Sequence, residues 1–298
     1  MPDAHRPTYS APRALLVCAL AVAQIAAGPP ASAEPERIVA VGDLHGDAAA
    51  TRTALRLADL IGPDDRWTGG TTVLVQTGDV MDRADDVRTI LDLLDRLEEE
   101  ASAVGGRVIQ LLGNHEVLNL QGDCLSATAG DQAAFGGPEA RRTALSPRGA
   151  YGRRLRDLDA VVRVGETVFV HAGVPREWAS LGVEGINEAV RQALAAGDGP
   201  ILGKKGPLWY RGYLRDPEAE ACREASDVLG VLGARRMVVG HTVQDGGRPV
   251  ARCQGAVVGI DTGASRAMRG MPSALEIVRG DARALLPEGV VDLPDPAP

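Results

Sequence analysis

Five short apolar runs in this chain each end in a polar, glycine-containing turn that carries a histidine or an aspartate. They read VAVGDLHGD, VLVQTGDVMDR, VIQLLGNHE, TVFVHAG and MVVGHTV. Every histidine after His5 lies in one of these turns: His45, His115, His171 and His241. The VLVQ run carries Asp79 in the equivalent place. Runs that are apolar throughout and rich in Val and Ile are what strands covered on both faces require. Histidines used for packing would be scattered. Ligand-type side chains repeated at strand ends point instead to an α/β fold with a metal-centred site along one edge of its sheets.

Strands are expected at residues 37–41, 72–76, 107–112, 161–164, 167–170, 236–239 and 256–260. Residues 48–61 have helical spacing and end at Gly62-Pro63. Residues 85–101 place Val87, Ile90, Leu91, Leu94 and Leu97 on one helical face, with Asp85 and Asp86 where the helix dipole favours negative charge. The chain therefore starts as βαβαβ. Residues 121–158 lack a clear strand and are broken at Gly136-Gly137-Pro138 and Pro147, so a mostly helical insertion beside the site is expected. Residues 175–232 read as a second stretch of helix and loop. The Pro- and Asp-rich tail, residues 288–298, is expected to be loose.

Arg6 and Arg13 precede an apolar stretch, residues 14–27, and Ala31-Ser32-Ala33 fits a small-residue cleavage site. Residues 1–33 thus read as an export signal, with an uncleaved anchor as the alternative. The mature protein is expected to be periplasmic or secreted, with no stable membrane insertion. About 265 residues remain, enough for one large domain, residues 34–287. The chain carries a formal charge of −8, which gives no footing on a nucleic-acid backbone. Cys124, Cys222 and Cys253 follow the signal. They are too few for a disulfide scaffold and lack a zinc spacing. One bridge is permitted without its partners being readable; the simpler reading is three separate, half-buried thiols.

Asp43 and His45, two residues apart at a strand end, can point toward one ion. Asp79 is a carboxylate able to bridge two ions, Asn114 offers an amide oxygen, and His171 and His241 offer imidazoles. Mixed histidine and carboxylate ligation suits Mn, Fe or Zn better than Ca or Mg. Two such divalent ions, Mn foremost, would polarise a phosphoryl group and deliver a hydroxide for in-line attack.

The ordered set Gly42-Asp43-Leu44-His45-Gly46, Gly78-Asp79-Val80-Met81-Asp82-Arg83, Gly113-Asn114-His115-Glu116, His171-Ala172-Gly173 and Gly240-His241 resembles the phosphoprotein phosphatase family of metallophosphoesterases. The resemblance implies an α/β/β/α sandwich of the metallo-dependent phosphatase type. It implies one metal on Asp43, His45 and Asp79 and a second on Asp79, Asn114, His171 and His241. His115 would be the general acid, Asp82 its orienting carboxylate, and Arg83 a phosphate clamp beside Asn114. Diesterases of this fold carry a second histidine after the last motif. Here Thr242-Val243 follows His241, as in the protein-phosphatase branch.

A finer resemblance, to the bacterial Shewanella-like phosphatases, rests on Leu111 to Val117 running into Asn119-Leu120-Gln121-Gly122-Asp123. Pro207-Leu208-Trp209-Tyr210-Arg211-Gly212, Gly240 to Gln244 and Ile260-Asp261-Thr262-Gly263 add to it. It implies a lean toward phosphotyrosine on a protein or peptide and suggests Arg211 as a second phosphate contact. Ala84 departs from the Gly that usually follows Asp-Arg, and the Leu-Trp-Ser-Asp-Pro segment of eukaryotic members is absent. Glu116 and Asp261 are expected to support the ligands rather than react. Trp209, Tyr151, Tyr210 and Tyr213 are candidates for either an aromatic pocket or the core. The competing readings are a hydrolase of dinucleoside polyphosphates or other small phosphoesters, and an inactive phosphatase fold used for binding.

Overall fold

The computed structural model describes residue 3 and residues 35–296. The expected export segment falls outside the described residues. Strands β1 (Arg37–Val41), β2 (Val73–Gln76) and β3 (Arg107–Gln110) pair in parallel. Helices α1 (Ala48–Leu57) and α2 (Val87–Ser102) are their crossovers. After β3 come α3 (Asn114–Leu120) and an insertion of α4 (Ala129–Ala134), α5 (Pro138–Leu145) and α6 (Ala150–Asp157). An antiparallel pair, β4 (Val161–Val164) and β5 (Thr167–Val170), leads into α7 (Arg176–Ala179), α8 (Gly182–Ala196), α9 (Gly212–Arg215) and α10 (Glu218–Leu232). The chain continues through β6 (Arg236–Val239), β7 (Val250–Arg252), β8 (Val257–Gly259), β9 (Ala274–Val278), β10 (Asp281–Leu286) and β11 (Gly289–Asp292). One sheet runs β11-β10-β9-β1-β2-β3 and the other β4-β5-β6-β8-β7.

The layers follow from the alternation of side chains along a strand. Ile38 and Ala40 of β1 face Phe169, Val238 and Val258 of the second sheet, whereas Val39 and Val41 face Ala54, Leu55, Leu93 and Leu97 of α1 and α2. Val168, Val170, Met237 and Val239 look outward onto Ile186 and Val190 of α8 and Ala225 and Val228 of α10. The order helix, sheet, sheet, helix is the expected α/β/β/α sandwich, and 121–158 is helical apart from its connecting turns. Within each sheet the parallel strands end level. Val41 pairs with Gln76, Gln76 with Gln110, and Val170 with Val239. The turns after β1, β2 and β3 therefore sit side by side, as do those after β5, β6 and β8.

Several expectations are corrected. The first helix stops at Leu57, and Asp59 adopts a left-handed φ of 52° that turns the chain. The C-terminal tail is ordered over its described residues, 288–296. β11 pairs antiparallel with β10, and Asp295 takes hydrogen bonds from Arg236 Nη2 at 2.6 Å and Ala282 N at 3.0 Å. Buried Arg236 needs that counter-ion, so the tail belongs to the domain. Strands β9 to β11 extend the first sheet beyond β1. Their charged residues, such as Glu276 and Arg283, hid them from a search for continuous apolar runs. Cys222 and Cys253 are bridged, because α10 crosses the turn after β7 and brings their Cα atoms to 5.2 Å; Cys124 stays free. Among the described residues no helix is long and apolar enough to cross a membrane.

Glu276 fastens β9 to the strands on either side. It accepts from Arg37 Nε at 2.5 Å and from Arg283. Burial alone would raise its pKa, but the two guanidinium groups hold it below the usual carboxylate value. A depressed carboxylate stabilises the fold above its unfolded pKa and loses that contribution as pH falls through the folded value. Glu276→Gln is therefore expected to cost about 1–3 kcal/mol at neutral pH. Denaturant titrations should show the difference from wild type shrinking as pH is lowered toward about 3.

Candidate metal centre

Each expected site residue except Arg211, which precedes α9, follows the C-terminal end of a parallel strand. Asp43 and His45 follow β1, Asp79, Asp82 and Arg83 follow β2, and Asn114 and His115 open α3 after β3. His171 follows β5, His241 follows β6, and Asp261 follows β8. Stacking the two sheets brings these turns into one buried group. The backbone is bent to do it: His45, Asp79, Asp82, Arg83 and His241 all have positive φ, between 43° and 72°. Non-glycine residues take that conformation at a cost, and such residues gather at functional sites. Two glycines allow the turns to meet. A Cβ on Gly113 would lie 2.2 Å from Asp79 Oδ1, and one on Gly240 would lie 2.4 Å from Asp43 Oδ1.

The histidine rings are aimed by backbone carbonyls. His171 Nδ1 donates to Thr77 O at 2.9 Å, and His45 Nδ1 donates to Met81 O at 3.0 Å. A neutral imidazole that donates from Nδ1 presents a bare lone pair at Nε2. His171 Nε2 then meets Asn114 Oδ1 at 2.9 Å, His241 Nδ1 at 3.2 Å and Asp79 Oδ1 at 3.4 Å. His45 Nε2 lies 3.8 Å from both Asp43 Oδ2 and Asp79 Oδ2. Lone pairs converge at both places with Asp79 shared between them, and a cation is the natural partner for such a donor set. The residues present thus fit a pair of divalent ions.

Electrostatics agree. Asp43, Asp79, Glu116 and Asp261 are carboxylates no more than 3% exposed. Burial and the charges of Asp261 and Asp79 push Asp43 well above the usual carboxylate range. Burial, with Asp79 nearby, raises Asp261 to about 6. Burial would raise Asp79 as well, but His171, His115 and His45 drive it below its usual value. Burial first, then His171 and Arg211, lower His241 to about 2. A cation would relieve the repulsion among these carboxylates.

His115 is set apart. Its Nδ1 donates to Asp82 Oδ2 at 2.6 Å, while its Nε2 lies 3.4 Å from Arg83 Nη2 and 3.9 Å from Asp79 Oδ2. That last distance puts His115 within ligand reach of the His45 and Asp79 cluster, so geometry alone allows it either task. Burial lowers the pKa of His115, but the hydrogen bond to Asp82 and the charges of Asp79, Asp82 and Glu116 raise it overall. Asp82 is spent on His115 and Asn119 and does not cap α2. Arg83 turns toward His115 instead of Asp85 or Asp86. Arg211 is half-buried, with Nη1 donating to His241 O at 2.8 Å and to Thr242 Oγ1 at 3.2 Å. All ten expected site residues are thus brought together.

Of the aromatic candidates, Trp209 lies at the site, its ring edge-on to His241 at 5.6 Å. Tyr210 is bound to Glu224, Tyr213 Oη to Val174 O, and Tyr151 to Asp92, so these three serve the scaffold.

Other residues brace the turns, and of these Glu116 was expected to support the ligands, while Arg141 and Asp131 were missed from sequence. Glu116 Oε2 accepts from Asp79 N at 2.8 Å and Gly113 N at 2.7 Å, and Oε1 accepts from Met81 N at 3.0 Å. Asn119, one helical turn after His115, donates to Asp82 at 2.9 Å; its i+4 spacing from His115 and its place in the Shewanella-like motif were the clues to it. Arg141 and Asp131 stand behind Asn119 with no sequence signal at all.

Residues 36–245 match the family model described as calcineurin-like phosphoesterase. The chain is 34% identical over 301 residues to Shewanella-like protein phosphatase 2 of Arabidopsis thaliana, covering 83% of this chain and 76% of that protein. It is 33% identical over 243 residues to Shewanella-like protein phosphatase 1 of Plasmodium berghei (strain Anka), covering 77% and 67%. The crystal structure of the cold-active protein-tyrosine phosphatase of a psychrophile, Shewanella sp., aligns with a TM-score of 0.75 at 25% identity, over 87% of this chain and 80% of that one.

Replacing the Glu116 carboxylate by an amide turns one of its oxygens into a donor that faces a backbone N–H. Glu116→Gln is expected to lower the stability of the metal-free protein by about 1–3 kcal/mol. Calorimetric titration with Mn should show affinity weakened by about 10–100-fold. Unchanged Mn affinity would remove Glu116 from the support of the site.

Proposed function

The chain belongs to the calcineurin-like phosphoesterase family and is a metallophosphatase, and from that premise we propose that it hydrolyses phosphomonoesters on proteins or peptides, phosphotyrosine foremost. The observation that carries this reading is His115. It hydrogen-bonds Asp82 through one ring nitrogen and presents the other beside Arg83, at the rim of the lone-pair cluster. A monoester with a poor leaving group needs a proton on the departing oxygen, and this is a donor placed to give it. Thr242-Val243 after His241 adds support, since no second histidine stands there as it would in a diesterase.

Asp43, His45 and Asp79 would hold one divalent ion, and Asp79, Asn114, His171 and His241 the other, with Mn, Fe and Zn all suited to these donors. When bound, such ions polarise the phosphoryl group and lower the pKa of a coordinated water. The protein's own residues do the rest. Arg83, exposed beyond His115, binds phosphoryl oxygens with its planar fork. Asn114 and Arg211 approach the same phosphoryl group, Arg211 anchored through Nη1 with its remaining donors free for the ester. His115 protonates the leaving oxygen from Nε2, and Asp82 keeps the ring oriented by holding Nδ1–H. Trp209 offers an aromatic wall to a tyrosyl leaving group.

The names of the relatives and the solved tyrosine phosphatase support the choice of a phosphoprotein substrate and of tyrosine. Export to the periplasm or beyond is part of the same proposal. The apolar segment before Ala33 supports it, and so does the Cys222–Cys253 bridge, a bond that persists in oxidising compartments.

Two substitutions separate the roles. Asp79→Asn is expected to lower bound metal and phosphatase activity together. His115→Asn should retain its metal while kcat falls by about 10²–10⁴-fold on alkyl phosphates and less on p-nitrophenyl phosphate. Metal loss in the second variant would make His115 a ligand. In a steady-state comparison with added Mn, kcat/KM should be highest for a phosphotyrosine peptide, then phosphoserine and phosphothreonine peptides. A dinucleoside polyphosphate that outpaced all three would reassign the substrate.

A further inference from the structure

The helical insertion carries a buried ion pair that the metal-bearing turns do not need. Arg141 of α5 and Asp131 of α4 are 1% and 0% exposed. Arg141 Nε donates to Asp131 Oδ2 at 2.7 Å, and its Nη1 donates to Asn119 Oδ1 at 2.7 Å. Asn119 passes the contact on, donating through Nδ2 to Asp82 Oδ2 at 2.9 Å and to His115 O at 2.9 Å. Arg141 Nη2 also lies 3.7 Å from Asp82 Oδ1, and neither of those two buried atoms has another partner. Phe135 lies under the guanidinium, 5.7 Å from ring centre to Cζ.

Burying a guanidinium is costly, and a packed apolar group would join α4 to α5 at less expense. What the pair does that apolar packing cannot is reach Asp82. That carboxylate must hold one oxygen in line with His115 Nδ1 while buried away from water. Asn119 holds the same oxygen, and Arg141 faces the other with opposite charge. The plane of the carboxylate is thereby set from the side opposite the histidine.

We propose that Arg141, seated on Asp131, is a positioning residue for the proton donor. The insertion orients Asp82 and Asn119, and through them the His115 ring. The inference rests on the reading of His115 as the group that protonates the leaving oxygen.

The test uses Asp131→Leu/Arg141→Met, which removes both charges together so that neither is left buried alone. Arg141→Lys restores the charge without the fork, and His115→Asn is the reference. kcat and KM are measured on p-nitrophenyl phosphate, whose leaving group needs no proton, and on a phosphoserine peptide, whose leaving group does, with bound metal measured in parallel. The double variant is expected to keep its metal and its KM within about twofold, and to lose at least about tenfold more kcat on the phosphoserine peptide than on p-nitrophenyl phosphate. Arg141→Lys should recover part of that loss. Equal losses on both substrates, or none, alongside a selective loss in His115→Asn, would overturn the inference and leave the His115 reading standing. No selectivity in His115→Asn would overturn both. If the double variant does not fold, Asn119→Leu breaks the link while leaving the ion pair, and the same selective loss decides the question.

Discussion

The site depends on one buried carboxylate whose hydrogen bonds all come from backbone N–H groups. Glu116 takes the N–H groups of Asp79, Met81 and Gly113 and so pins the turn after β2 to the turn after β3. Asp79 can face both lone-pair clusters only while its backbone is held at a φ of 57°. The same restraint places Met81 O under His45 and brings Asp82 to His115. Burial and the charge of Asp79 push the pKa of Glu116 up, against the pull of its N–H donors. The brace therefore works under electrostatic load, and a cation beside Asp79 would lighten it.

A second consequence of the geometry is the division of labour between the sheets. The first sheet supplies Asp43, His45, Asp79, Asn114 and His115, and the second supplies His171 and His241. The cluster around His45 draws on the first sheet alone, whereas the cluster around His171 needs donors from both. Contacts that cross between them, His171 Nδ1 to Thr77 O at 2.9 Å and His241 N to Asp43 Oδ1 at 3.0 Å, fix their relative height. The apolar layer of Ile38, Val73, Phe169, Val238 and Leu275 is thus what assembles the site as well as what stabilises the fold.

Much of this was legible in the residues. Continuous apolar runs located seven strands, because strands buried on both faces leave no room for polar side chains. Nine of the ten site residues were readable because each sits in a turn at a strand end and combines with its neighbours into an ordered series; Arg211, ahead of α9, was suggested by the family resemblance alone. The strands that escaped notice, β7 and β9 to β11, carry exposed or paired charges such as Glu276 and Arg283, so their apolar signal is broken. The C-terminal tail looked loose because Pro and Asp dominate it. It is ordered by buried Arg236, nearly sixty residues earlier, which takes Asp295 as its counter-ion.

By itself the sequence determined which chemistry the turns can do, because imidazole, carboxylate and amide donors are written residue by residue. It also determined the parallel α/β layout, because strand burial imposes a pattern on neighbouring positions. Tertiary structure decided which donors converge on Asp79 and at what distances, how His115 turns onto Asp82, and which cysteines are joined. It alone showed that Arg141 reaches Asp82 through Asn119. Those are contacts between positions tens of residues apart, set by the stacking of two sheets and the docking of an insertion. Nothing in the local pattern of side chains encodes a distance of that kind.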